Sequence, residues 1–272
     1  MVNGYQPVSL QEALNIKAEH RVTIYGGGTD LMVGKDKPDT YLFVNLIPEM
    51  KNIIEDQDYI RIGAAATFTE VLENSLTSQI LKDAISLIAA PAIRNLGTMG
   101  GNIGNGSAKA DSVLIHYAAD AKLRLASVRG ERIVNIDAFY LGRKKLDLAE
   151  DELIVEILLP KNGLDNYYYQ KVGGRKALAI SKVAFVGIFG MEGDRISKLS
   201  IAFGAVADTV LRFKEIEAIM IGKTLEEAKA QKQVFLDAYE KAIVPISGRV
   251  SSEYRKETCL NLLNDFLQQN HI

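Results

Sequence analysis

The apolar and polar positions of the chain repeat at two periods, one helical and one extended. From Ser9, SLQEALNIKAEH sets Leu10, Ala13, Leu14 and Ala18 on one helical face, and Ser9 with Glu12 reads as a capping box. The short apolar run RVTIY then predicts a strand. TYLFVNL and YIRIGAAAT predict two more, the latter behind a turn-like DQD at 56–58. Thr67 and Glu70 form a second capping box, and helical periodicity extends from there to about Ala89. DSVLIHYAAD suits a helix through Val113, Leu114 and Tyr117. AKLRLASVRGERIVNI alternates about Arg129 and Gly130 and predicts a hairpin, and DELIVEILLP predicts a strand closed by Pro160. NGLD at 162–165 is the candidate linker. Beyond it a strand is expected at 167–172, then KVAFVGIFG and KLSIAFGAV paired across Glu192, Gly193 and Asp194. Helices are expected at 211–221, 225–243 and 252–269. Strands and helices mix without strict alternation, which favours an α+β fold with two lobes. No internal repeat or low-complexity tract interrupts it.

Composition narrows the chemistry. At 272 residues the chain can bury one large core or two ordinary ones, and 47% hydrophobic with 24% charged residues is usual for a globular protein. A net charge of −2 argues against nucleic acid as a partner, and Arg143, Lys144 and Lys145 read as a solvated loop. MVNGYQPVSL lacks the basic start and apolar stretch of a signal peptide, and no segment approaches the roughly 18–20 apolar residues that span a bilayer. The one cysteine, Cys259, excludes an internal disulfide and points to a reducing, cytoplasmic setting. It also excludes a self-contained iron–sulfur cluster, which takes about four thiolates. His20, His116 and His271 show no metal-ligand spacing and suit surface or packing roles. Redox chemistry here would need an organic cofactor or partner proteins.

Two glycine-dense segments carry the candidate chemistry, YGGGTD at 25–30 and TMGGNIGNG at 98–106. Glycine tolerates positive φ and lets ligand atoms approach the main chain, and successive N–H groups in such turns make an anion nest suited to phosphate. The first segment sits between the strand VTIY and the helix-compatible DLMV, with the Thr29 hydroxyl as an added donor. It is not a Walker motif, since no Gly-Lys-Ser/Thr follows, and a G-x-G-x-x-G reading fails at Leu31. A tight strand–helix turn is the alternative. In the second segment Thr98, Gly100, Gly101 and Asn102 add hydroxyl, amide and carboxamide groups, and Asp111 follows. Asp111 is either an N-cap or a carboxylate that accepts from a ribose hydroxyl. Two nests and a carboxylate suit a long ligand with a central pyrophosphate, FAD or a similar dinucleotide; purely structural turns are the competing reading.

YGGGTDLMV, AAPAIRNLGTMGGNIGNGSAKADS and DELIVEILLP together resemble the signature segments of the FAD-binding subunits of molybdenum hydroxylases. YYQKVGGRKALAISKV, IAFGAVADT and SSEYRKE resemble that family's C-terminal domain in order and spacing, so the likeness spans nearly the whole chain. GNIGNGSAKADS with FYLGRKKLDLAEDELI is most similar to xanthine dehydrogenase medium subunits. The resemblance implies an α+β architecture: a two-subdomain FAD-binding domain of the vanillyl-alcohol-oxidase (PCMH) type over 1–162, then a smaller sheet-plus-helices domain over 166–272. It implies that Ile24, Tyr25, Gly26, Gly27, Gly28, Thr29, Asp30 and Leu31 form the first pyrophosphate loop. Thr98, Gly100, Gly101 and Asn102 form the second, and Asp111 reaches the ribose side. Ile154 packs beside the isoalloxazine and Lys171 sits near its polar edge. On residue chemistry alone, Ile154 reads as an ordinary core residue, and Lys171 equally as a surface lysine at a strand end. Ile88 stands where some relatives carry an aromatic residue, and Asn105, Gly106 and Ser107 take no individual role. No histidine lies near the glycine loop, so the flavin is expected to be non-covalent.

The implied function is electron transfer. A molybdopterin-binding large subunit hydroxylates a purine or another N-heterocycle, a [2Fe-2S] small subunit relays the electrons, and this FAD subunit delivers them to NAD or another acceptor. A related nicotinate, aldehyde or carbon monoxide dehydrogenase is the alternative within the family. Outside it stand a self-sufficient flavin reductase of the same fold and a non-redox nucleotide-binding module.

Overall fold

Ser9 opens the first helix of the computed structural model, which describes residues 3–34, 38, 40–175 and 178–272. Its Oγ accepts from the Glu12 N–H at 3.3 Å. Glu12 Oε2 accepts from the Val8 N–H at 2.9 Å instead of from Ser9, so the expected box is half made and reaches one residue upstream. The elements run β1 (Asn3–Tyr5), α1 (Leu10–Glu19), β2 (Thr23–Tyr25), β3 (Thr40–Phe43), β4 (Ile53–Glu55), β5 (Tyr59–Gly63), α2 (Phe68–Glu73), α3 (Gln79–Ser86), α4 (Pro91–Arg94), α5 (Met99–Gly104) and α6 (Asp111–Ala118). Next come β6 (Lys122–Ser127), β7 (Gly130–Asn135), α7 (Ile136–Phe139), β8 (Tyr140–Gly142), β9 (Lys145–Leu146) and β10 (Leu153–Pro160). The C-terminal part holds β11 (Tyr167–Val172), β12 (Val183–Glu192), β13 (Arg195–Gly204), β14 (Leu211–Arg212), α8 (Lys214–Glu217), α9 (Leu225–Ala242) and α10 (Ser252–Gln269).

These elements form two compact units that do not follow chain order. One comprises Met1–Thr77, Ile88–Ser107 and Asp120–Lys161; the other comprises Ser78–Leu87, Ala108–Ala119 and Asn162–Ile272. The first unit contains a parallel sheet of order β1-β3-β2 and an antiparallel sheet of order β4-β5-β10-β6-β7. β10 is central and buried along most of its length. Its register shifts between Ile154 and Glu156, and the Val155 carbonyl accepts from Ala64 N at 2.9 Å. Such a bulge locally breaks the inward–outward alternation and re-aims neighbouring side chains.

In the second unit the sheet runs β11-β12-β13-β14, with β12 and β13 joined by a hairpin at Gly193, where φ is 61°. Phe185, Phe203, Phe235, Tyr239 and Phe266 fill the core between one face of that sheet and α9 and α10. Gly187 leaves room for the Phe266 ring, which a Cβ there would meet at 2.7 Å. The alternate positions of β13 turn toward α6, where Ser200 Oγ donates to the Ala118 carbonyl at 2.5 Å. Arg255, from the SSEYRKE segment, is buried and donates through Nη1 to the carbonyls of Lys182 and Ala205. Its guanidinium thus ties together the three C-terminal signature segments.

Three sequence expectations are corrected. The helix expected from Thr67 to about Ala89 is two helices: its capping box is complete, but α2 stops at Glu73. Asn74 turns extended, and its side-chain oxygen accepts from Leu76 N at 2.9 Å, a local bond that competes with the helix. The segment 211–221 begins as β14, because Leu211 and Arg212 pair with Phe203 and Ala202, and only Lys214–Glu217 is helical after it. Asp111 is not an N-cap: Ala110 holds that position, without a side-chain cap bond.

His116 lies in α6, fully buried, and neither ring nitrogen has a hydrogen-bond partner among the described residues. Burial pushes its pKa down from the ordinary 6.5 to about 4. The unfolded chain therefore binds a proton on His116 that the folded chain refuses, and stability falls as pH drops from 6.5 through 4. The full effect is roughly 3 kcal/mol. Urea midpoints measured between pH 7 and pH 4 are expected to fall more steeply for the wild type than for His116→Leu. Parallel curves would contradict this account.

Candidate active site

A cleft of about 470 Å³ lies wholly within the first unit. Its rim comes from β2 and the loop behind it, through Ile24, Gly26, Gly27, Gly28, Thr29, Asp30 and Leu31. α5 with its cap lines it beside them, through Thr98, Gly100, Gly101 and Asn102, and Ile154 lines it from β10. Of the residues expected from sequence, Asp111 and Lys171 do not line it, and neither does Tyr25. Its ring sits under Gly28, whose φ is 70° and whose missing Cβ would strike the phenol, and it packs on Phe43 at 4.8 Å.

The two glycine segments are not equivalent. Among the described residues, no protein group accepts from the backbone N–H groups of residues 26–31, a run that includes the positive-φ Gly28. That is an open nest of donors on the cleft rim. The second segment is a helix start instead of a turn. Met99 N donates to Ala66 O at 3.0 Å, Gly100 N to Ala64 O at 2.8 Å and Gly101 N to Thr98 Oγ1 at 3.1 Å. Its amides are already used, so it offers the cleft surface without Cβ atoms and the Thr98 hydroxyl. The glycines also bring the segments together: a Cβ on Gly27 would strike the Leu96 carbonyl, and one on Gly26 the Thr98 hydroxyl.

Asp111 and Lys171 belong to the second unit. Lys171 Nζ lies 2.7 Å from Asp111 Oδ2, with the two side chains 8% and 6% exposed. Lys171 also donates to the Leu87 carbonyl at 2.8 Å, and Ser181 Oγ donates to Asp111 Oδ1 at 2.6 Å. Tyr169, on the same face of β11 as Lys171, keeps a buried hydroxyl without a partner among the described residues. Burial, with Asp111 and Asp83 nearby, holds that hydroxyl protonated.

Sequence reading missed the apolar lining from Val22, Val44, Met50 and Phe68, which falls in unremarkable strand and helix positions. It missed Glu152, whose carboxyl Arg132 holds below the usual range through contacts of 2.7 and 2.8 Å. It also missed Lys17. The signal for Lys17 was present: it lies three and four residues beyond the buried Leu14 and Ala13, placing a cation on an apolar helical stripe.

The cleft suits FAD. An open run of main-chain donors answers a diphosphate, the absent Cβ atoms admit it closely, and the lining beyond it is largely apolar, as a flavin ring needs. Among the described residues no group of three or more His, Cys, Asp or Glu could hold a metal ion, and no helix is long and apolar enough to cross a membrane.

Comparison with known proteins gives the same reading. The FAD binding domain in molybdopterin dehydrogenase matches residues 1–162, and the CO dehydrogenase flavoprotein C-terminal domain matches 167–270. The xanthine dehydrogenase FAD-binding subunit of Escherichia coli O157:H7 is 31% identical over 271 residues, covering 95% of this chain and 91% of that protein. The nicotinate dehydrogenase FAD-subunit of Eubacterium barkeri is 29% identical over 274 residues, covering 93% and 90%. Carbon monoxide dehydrogenase from Hydrogenophaga pseudoflava, solved without the Mo-pyranopterin moiety of its molybdenum cofactor, superposes with a TM-score of 0.89 at 27% identity, covering 98% of this chain and 96% of that one. With both domain signatures matched in order along one chain, this protein belongs to the FAD-binding medium subunits of the molybdenum hydroxylases.

Proposed function

We propose that this chain is the electron-transfer subunit of a xanthine dehydrogenase-like complex, with FAD held non-covalently in the cleft of the first unit. The observation that carries the proposal is the run of N–H groups over residues 26–31 from which, among the described residues, no protein group accepts. These donors would hold the diphosphate, with Thr29 and Thr98 adding hydroxyls, and Gly100, Gly101 and Asn102 would form the adjoining surface. Ile154 would pack beside the isoalloxazine. The resemblance sets Asp111 on the ribose side and Lys171 at the polar edge of the flavin. Bound FAD would supply the redox chemistry linking [2Fe-2S] clusters on a small subunit to NAD or another acceptor. The chain's own residues would bind and orient it and shield it from water.

Hydroxylation is assigned to a molybdopterin-binding large subunit. A purine or related N-heterocycle is the proposed substrate, supported by the similarity to both the xanthine and the nicotinate subunits. A cytoplasmic location is proposed on the single cysteine of the chain, Cys259, which is free and buried.

Purified alone, the chain is expected to show oxidised-flavin absorption and to release intact FAD on denaturation, leaving no flavin on the polypeptide. It should not hydroxylate xanthine, hypoxanthine or nicotinate until large and small partner subunits are added. Hydroxylation by the single chain would overturn the subunit assignment, and a folded chain that takes up no FAD would overturn the site.

A further inference from the structure

Three charged side chains line the cleft: Lys17, Asp30 and Glu152. Glu152 is spent on the two-pronged contact with Arg132 and on the Ala149 N–H, which it accepts at 2.8 Å. Asp30 is exposed at the rim. Lys17 is the cleft's one cation among the described residues, and it makes no direct ion pair there. Its ammonium has three donors and one recorded acceptor, the Val22 carbonyl at 3.5 Å, the outer limit of a hydrogen bond. Burial pushes its pKa down, against the weaker opposing pull of Glu150 and Asp151. Asp151 is itself bound two-pronged by Arg129, at 2.7 Å on each oxygen.

The position follows from the helix. Lys17 lies one turn beyond Ala13 and Leu14, so α1 sends its stem along the buried stripe and its ammonium toward the strand that feeds the glycine loop. A half-buried ammonium with one weak acceptor is an incomplete site. Its missing partner is an anion, and the same cleft carries an open nest of N–H donors that also lacks one.

We propose that Lys17 is the charge partner of the cofactor's diphosphate, acting on the same anion as the 26–31 amides. This inference rests on the reading of the cleft as the FAD site and adds to it a residue on which ligand affinity and salt dependence turn. A residue of this kind should discriminate ligands by phosphate content: it should matter for FAD and ADP and not for riboflavin or adenosine.

Apoprotein freed of flavin should be titrated with FAD, ADP and riboflavin at low and high salt, using wild type, Lys17→Met and Lys17→Arg. Lys17→Met is expected to weaken FAD and ADP about tenfold or more, leave riboflavin unchanged and flatten the salt dependence, while Lys17→Arg recovers most of the loss. Equal losses for riboflavin and FAD, or no loss for either, overturn the proposal. Wild-type protein that binds neither FAD nor ADP would instead overturn the FAD site itself. A second measurement needs no variant: saturating ADP should protect Lys17 from reductive methylation, read by mass spectrometry, and adenosine should not. Lys17 modified equally fast with and without saturating FAD and ADP would also overturn it.

Discussion

Gly27→Val is expected to lower FAD affinity by more than a hundredfold and to lower thermal stability with it. The side chain would not merely enter phosphate space. Its Cβ would strike the Leu96 carbonyl and come within 2.9 Å of Gly97 N, so both glycine segments would have to part. Gly101→Val separates the two effects. A Cβ on Gly101 meets no backbone outside its own helix; the Thr98 hydroxyl, at 2.8 Å, is the one group that must shift, and Gly101 lines the cleft. Helical propensity differs little between the two residues, by about 0.5 kcal/mol, so Gly101→Val should melt near wild type and still lose its flavin. Flavin content and melting temperature, measured on both variants, check this. A Gly101→Val protein with full flavin content would remove the second segment from the site.

Arg255→Met should unfold the second unit most readily of any single side-chain change proposed. Arg255 is 4% exposed, and its Nη1 is the donor to two carbonyls, those of Lys182 and Ala205. The Ala205 backbone is strained, with φ at 62°, so its carbonyl has little freedom to find another partner. Leaving both acceptors unpaired costs roughly 2–5 kcal/mol. For a chain of this size that is a fall in Tm of about 5–15 °C. Arg255→Lys should recover only part of the loss, because the shorter lysine stem ends before the position from which Nη1 reaches both carbonyls. A melting temperature unchanged in Arg255→Met would mean that the clamp contributes nothing to stability.

Much of this architecture was legible from the chain alone, because strong local chemistry marks it. The hairpin about Arg129 and Gly130 and the strand ending at Pro160 appear where alternation and turn residues put them. The helix ending at Gln269 does the same. The break after Glu73 was hidden because Asn74 sits among apolar residues that keep helical spacing, and its side-chain bond to Leu76 carries no periodic signature. β14 was missed since two residues cannot establish a period, and their pairing depends on β13. At the site, glycine spacing marked both segments but not the difference between them. Whether an amide is free depends on partners far along the chain, as Ala64 and Ala66 are for Gly100 and Met99. Lys17 was readable as a charge on an apolar stripe, but only three dimensions showed what the stripe faces.

The helices α3 and α6 are synthesised early yet belong to the sheet made from residues after 162. Ser200, Arg212 and Ala205 N each bond a carbonyl in or beside α6, and Tyr167 bonds Asp83 in α3. The chain is therefore interlaced, not built as two beads on a string. At ribosomal speeds of about 5–20 residues per second, the stretch from Asn162 to Ile272 takes roughly 5–20 s to emerge. For that time α6, buried along its whole length in the finished protein, has no sheet to rest on. Nascent chains stalled near Lys161 are accordingly natural clients for chaperones. In evolution, a crossover at the junction between the two matched domains would unite a C-terminal sheet with a foreign α6. Recombinants of that kind should survive only when both parents share the residues that meet there, which ties the inheritance of the C-terminal part to two short segments of the N-terminal one.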